Sequence, residues 1–138
     1  MHPKIKAMID KSGLKYTTSE GGSFIRATFD VADGRTQMVF IDVVPDTFEG
    51  SRYEDFDIFS PICEEANLTP AIALKLLKGI ANTKIGAIKI KGGMVGVMVD
   101  FRPEGLGVEE FMAIVGLVTF TADNLEAQIE EKGSKDKF

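Results

Sequence analysis

Three glycines, Gly92, Gly93 and Gly96, fall within five residues of the stretch KIKGGMVGVMVDF, Lys89 to Phe101. Such a run can cradle a phosphate, but only where it opens into a helix N-terminus that aims backbone N–H groups at the ligand, usually with a Lys-Ser or Lys-Thr pair behind it. Here it opens into alternating apolar residues, the period of a strand. A two-residue turn at Gly92–Gly93 sets Lys91 opposite Met94, Ile90 opposite Val95, Ile88 opposite Val97 and Gly86 opposite Val99. One face of that hairpin carries Ile88, Ile90, Val95, Val97, Val99 and Phe101. The other carries Ala87, Lys89, Lys91, Met94, Gly96, Met98 and Asp100. A one-residue slip would destroy this sorting, so the glycines read as a turn rather than a ligand loop. Gly96 falls opposite Lys89, where a missing side chain lets a neighbour approach closely.

The remaining reactive residues are sparse. His2 is the single histidine and stands near the chain start, so no Ser-His or Cys-His pair with a fixed base is evident. Cys63 precedes Glu64 and Glu65, whose charge opposes thiolate formation, and it reads as a structural cysteine. Asp55 and Asp57 are two apart on a strand and therefore share a face, where they could hold a hard cation or share a proton, or simply be solvated. The dense oxygen-ligand spacing of a calcium loop is missing. No catalytic, metal or cofactor residue is assigned on these grounds.

The elements that position these residues follow from punctuation and period. The chain has 138 residues with 44% apolar and 27% charged side chains, the balance of one ordinary globular domain with a conventional core. The stretch HPKIKAMIDKSG, His2 to Gly13, spaces Ile5, Met8 and Ile9 as a short helix that ends at Gly13. Extended segments follow at Leu14–Glu20, Ser23–Asp30, Arg35–Val44 and Tyr53–Ile62. In the last of these, Phe56, Ile58, Ser60 and Ile62 alternate with Asp55, Asp57 and Phe59. Thr69 caps and Pro70 opens a helix carrying Ile72, Ala73, Leu76, Leu77 and Ile80, which stops near Asn82. After the hairpin, a helix from Val108 to about Lys132 has Glu109 and Glu110 in its first turn, and residues 133–138 form a frayed tail. The expected class is a single α+β domain over residues 1–132, an antiparallel sheet with helices in the order α-β-β-β-β-α-β-β-α.

Net charge is −5 and the isoelectric point is near 4.9, which opposes general attraction to nucleic acid or to an anionic membrane surface. One cysteine allows no intrachain disulfide, and no apolar run reaches the ~20 residues of a membrane span, so a cytoplasmic location is expected. Charge is unevenly spread: Asp46 to Glu65 holds seven acids and one arginine, whereas Ala71 to Val95 holds five lysines and no acid. The two runs are either separate solvated faces or a basic surface set against an acidic peptide or neighbouring subunit. The last helix buries a stripe of Phe111, Ile114, Val115, Val118, Ala122, Leu125 and Ile129. Ala113, Gly116, Leu117 and Phe120 project from nearly the opposite side, and an apolar second face calls for a cover.

The strand ending DIFSPI, the helix PAIALKLLKGIAN closing on Asn82, the hairpin after it and the terminal TADNLEAQIEE resemble the type III secretion chaperone-like fold, which includes the YbjN-like proteins. The likeness is one of element order from Met1 to about Lys132. The fourth extended segment, Tyr53–Ile62, is similar to the YbjN-like branch rather than the secretion branch. The resemblance implies a small acidic homodimer without enzyme activity or cofactor. It also implies a protein partner, with the middle helix and following hairpin building the dimer contact. The candidate contact residues are Leu74, Lys89, Lys91, Met94, Met98, Leu117 and Phe120. Met98→Glu is then expected to disrupt a complex without unfolding the monomer. The competing expectation is a small-molecule binder or enzyme, with a cavity between the sheet and the last helix and with Asp55, Asp57 and the hairpin lysines at its rim.

Overall fold

A computed structural model describes residues 3–19, 24–31, 34–83, 86–102 and 104–130. Gly21–Gly22 and Ala32–Asp33, which separate the first three extended segments, lie outside these, as do His2 and the tail 133–138. Helix α1 (Pro3–Ser12) buries Ile5, Met8 and Ile9 and ends at Gly13, whose φ of 76° suits the left-handed position after a helix. Strands β1 (Tyr16–Thr18), β2 (Phe24–Asp30), β3 (Thr36–Phe48) and β4 (Ser51–Glu64) follow. A 3₁₀ turn (Glu65–Asn67) then leads into α2 (Pro70–Ile80), where Thr69 Oγ1 accepts the Ile72 N–H at 3.2 Å. Strands β5 (Ala87–Lys91) and β6 (Met94–Phe101) form the glycine hairpin, and α3 (Val108–Ile129) closes the domain. The order matches the expected α-β-β-β-β-α-β-β-α.

The strands make one six-stranded antiparallel sheet, β1-β2-β3-β4-β6-β5. The hairpin register is the expected one: Lys91 pairs with Met94, Lys89 with Gly96 and Ile88 with Val97. Gly92 and Gly93 have φ of 57° and 78°, both positive as a type I′ turn demands. The β3–β4 hairpin runs further than its sequence signals suggest, pairing through Phe48 and Ser51 around Glu49–Gly50. Pro45 falls within this extension. It is tolerated because β2 stops pairing at Asp42, which leaves that end of β3 as an edge.

All three helices cover one face. Phe56, Ile58, Val97, Ile41 and Val39 form a single core with Ile5 and Ile9 of α1, Leu76 of α2, and Phe111, Val115, Val118, Ala122 and Leu125 of α3. The α3 stripe is therefore core, with Ile114 and Ile129 packed at its margins. Gly79 of α2 lies against the Leu125 side chain, so a small residue brings α2 and α3 together. One aliphatic of the hairpin departs from the core expectation: Ile90 is 53% exposed beside α2.

The sheet has a corner. Strand β4 pairs with β3 up to Phe59 and thereafter continues with β6, passing a bulge between Pro61 and Cys63. Proline has no N–H for a central strand and is confined to such irregularities. Side chains take over from the missing β3–β4 ladder. Gln37 Nε2 donates to Pro61 O at 2.8 Å and to Ser60 Oγ at 3.1 Å, and Ser60 Oγ donates to Met38 O at 2.7 Å. Gln37 is fully buried on this account.

Candidate functional site

The second sheet face bears no helix among the described residues. By strand parity it carries Phe24 on β2, Phe40 and Asp42 on β3, Asp55, Asp57 and Phe59 on β4, Met94, Met98 and Asp100 on β6, and Lys89 and Lys91 on β5. Lys91 and Asp42 lie on strands three places apart in the sheet. A flat sheet would separate them laterally by about 14 Å, more than the two side chains span. Lys91 Nζ nevertheless stands 2.9 Å from Asp42 Oδ2 and 3.8 Å from Asp57 Oδ2. The sheet must therefore curl toward this face, bending at the Pro61 bulge and bringing the hairpin tip over β3.

Inside the bend the apolar groups form a cluster separate from the main core. Phe59 is 2% and Met98 6% exposed. Phe24 and Phe40 meet at a centroid distance of 6.1 Å with planes inclined by 57°. Gly96 lies against the Phe59 ring and the Ser60 carbonyl, the close approach expected of a glycine at this position. Together Phe24, Phe40, Phe59 and Met94 wall a trough of about 390 Å³, whose mouth is formed by Asp42, Lys91 and Gly92.

Above the trough the acids stand in one row, because Asp42 pairs with Asp57 and Asp57 with Asp100 across β3, β4 and β6. Lys89 Nζ reaches Asp100 Oδ2 at 3.2 Å, which completes a chain of charges Asp42–Lys91–Asp57–Asp100–Lys89. Burial raises the Asp57 carboxyl to about 6, assisted by a hydrogen bond to Asp100 and by that group's charge. The same hydrogen bond, followed by Lys89, holds Asp100 below its ordinary value. Below about pH 6 Asp57 therefore holds the proton of the pair and donates it to Asp100. Proton sharing, raised by the sequence for Asp55 and Asp57, falls instead to Asp57 and Asp100. Asp55 faces Arg102 Nε at 3.8 Å.

This predicts a pH signature. A carboxyl raised from 3.8 to about 6 binds its proton more tightly in the native state, so its contribution to stability is full below about pH 4 and is lost as pH rises through about 6. The lowered Asp100 works in the opposite sense and offsets part of this. Asp57→Asn keeps a donor for Asp100 at every pH. It should raise the melting temperature by a few degrees at pH 7.5, for about 1 kcal/mol, and leave it unchanged at pH 4. An equal rise at both pH values would contradict the shared proton.

The other sequence-derived candidates are scattered. Leu74 is 53% exposed on α2, beside Leu77 at 61%. Leu77, Leu76, Ala73 and Leu68 face Ile88, Ile90 and Val95 across a groove of about 400 Å³ between α2 and β5. Leu117 and Phe120 are exposed on α3, with the Phe120 ring edge-on to Phe29 at 6.0 Å. Met94 lines the trough, half-buried. Met98 is corrected from an exposed contact to a buried one, because the curl folds the sheet over it. Lys89 and Lys91 are likewise engaged within the chain, so the basic hairpin meets the acids of its own sheet.

A third cavity, about 430 Å³, sits where Thr28, Phe29 and Asp30 of β2 meet the α1–β1 loop and Met112 of α3. The expected rim of Asp57 and hairpin lysines belongs to the opposite sheet face. Sequence reasoning did not single out Phe24, Phe40 and Asp42. The signal was present in parity, since Phe24, Phe40 and Phe59 fall on the polar side of their strands. Cys63 is a buried thiol, as expected of a structural residue. Among the described residues no cluster of three or more metal-ligating side chains occurs, and no helix is long and apolar enough to cross a membrane. No protein-family model matches the sequence, and no curated protein shows a significant match.

Proposed function

We propose that the protein is a non-enzymatic binding protein, chaperone-like or regulatory in type. It pairs with a second copy through the α2–β5 face and takes a protein partner on the exposed side of α3. The observation that carries the reading is the pair Leu77 and Ile90, each more than half exposed and lining one apolar groove, with the equally exposed Leu74 on the same helix. Large aliphatic side chains left side by side in water cost about 25 cal/mol for each Å² that a partner would cover. The element-order resemblance to type III secretion chaperone-like and YbjN-like proteins supports the same face, and Leu117 with Phe120 supplies a second apolar surface. Lys75 and Lys78 stand exposed on α2, so two-fold pairing through this helix brings like charges together and screening by salt favours the dimer.

Sedimentation velocity tests this directly. The native chain should sediment as a dimer at tens of micromolar, more completely at about 0.5 M salt than at about 0.05 M. Leu77→Lys with Ile90→Lys should give a monomer whose melting temperature stays within about 2 °C of the monomeric reference at high dilution, because neither side chain is core. A native monomer at every concentration and salt would overturn the proposal.

A further inference from the structure

We infer that the trough on the concave sheet face is a binding site for a small organic ammonium ion with an aromatic or short aliphatic body. This site is independent of the α2–β5 face. Three features carry it. The walls are Phe24, Phe40, Phe59 and Met94, and about 390 Å³ is the size of a small-ligand pocket. Phenyl rings present a negative face to a cation, so an aromatic-walled pocket favours an ammonium over a carboxylate of the same shape. The charges at and above the mouth agree: three acids, Asp42, Asp57 and Asp100, stand against two lysines, Lys89 and Lys91.

The Lys91–Asp42 pair at the mouth decides the sign of the ligand. Lys91 lies 2.9 Å from Asp42 but also 3.8 Å from Asp57, so it can move onto Asp57 while an arriving ammonium takes Asp42. Every charge stays paired in that exchange. Below about pH 6 Asp57 ionises to receive the lysine and releases its proton; above it the carboxylate is already in place. An arriving carboxylate has no such exchange. It must draw Lys91 away from Asp42, leave that acid unpaired and half-buried, and sit beside a row of like charges. A neutral body of the same size fills the apolar walls without gaining the ion pair.

The test titrates the full chain, monitored by amide chemical shifts, with three probes of matched shape: 2-phenylethylammonium, 2-phenylethanol and 3-phenylpropanoate. The ammonium should saturate with a Kd below about 1 mM, shifting Phe24, Phe40, Lys91 and Gly92. The alcohol should bind at least about fivefold more weakly and the carboxylate at least about tenfold more weakly, a tenfold ratio corresponding to 1.4 kcal/mol. Asp42→Asn should weaken the ammonium about tenfold while leaving the alcohol unchanged. Phe24→Ala, a half-exposed wall residue whose loss spares the core, should weaken both probes. Lys91→Met removes the competing cation and should tighten the ammonium. Binding of the carboxylate as tightly as the ammonium overturns the inference. So does an Asp42→Asn variant in its folded form that binds the ammonium unchanged, shifts confined to α2 and β5, or no saturation by about 10 mM.

Discussion

Gly96→Ala will destabilise the fold by about 3 kcal/mol or more, the upper range for a single substitution, although it adds one methyl group. A Cβ at this position would lie 2.6 Å from Phe59 Cζ and also against the Ser60 carbonyl oxygen. The ring could swing aside only by vacating a space enclosed by Met98 and the bent strand, and the carbonyl belongs to the backbone of β4 itself. Relief therefore requires β6 to move away from β4 at the corner, breaking ladder hydrogen bonds beside the Pro61 bulge. Equilibrium denaturation should show a lower midpoint with an unchanged slope. A loss under about 1 kcal/mol would mean that the corner is looser than these contacts require. The contrast is Gly93→Asn, since position 93 has open space at its Cβ and a φ that asparagine tolerates.

Met98→Glu is expected to unfold the monomer partially rather than strip a partner from it. Met98 is 6% exposed, pairs in register with Phe59 and lies two residues from Asp100 on the same strand face. A glutamate there loses the burial of the methionine and places a carboxylate beside Phe59 and the acid row without a cation to meet it. Lys89 and Lys91 are already held by Asp100, Asp42 and Asp57. The combined cost is about 3–5 kcal/mol. Met98→Leu, which conserves volume, should cost less than about 1.5 kcal/mol. Matched thermal melts of the two variants check this, and an intact Met98→Glu monomer would show that the concave cluster opens freely to water.

Element order, the hairpin register and the α3 core stripe could be read from the chain because each rests on local period and punctuation. Ile88 opposite Val97, the Thr69 cap and the Gly13 stop involve neighbours in sequence or across one turn. The trough could not be read the same way. Phe59 and Met98 look like surface residues by alternation, and only the departure of β4 from β3 after Phe59 encloses them. That departure depends on Pro61, the bulge after it, Gly96, and a buried Gln37 that reads as an ordinary polar strand residue. The Lys91–Asp42 contact was equally hidden, since it spans 49 positions and three strand places. Charge asymmetry between the two chain segments was visible. Its resolution within one sheet required the curl.

Among the described residues, four of the five strand pairings join consecutive strands, and only β4 with β6 does not. That ladder starts at Glu64 opposite Met94, so forming it closes a loop of 94 − 64 = 30 residues that contains α2 and β5. Closure on this scale costs about 3 kcal/mol in chain entropy, by (3/2)RT ln n. The β1–β4 meander and the β5–β6 hairpin can form early and locally, whereas the concave trough exists only after the non-local pairing is made. Ligand recognition on that face is therefore a property of the completed topology: a folding intermediate that already contains the β1–β4 meander and the β5–β6 hairpin would carry all of the wall residues and none of the site.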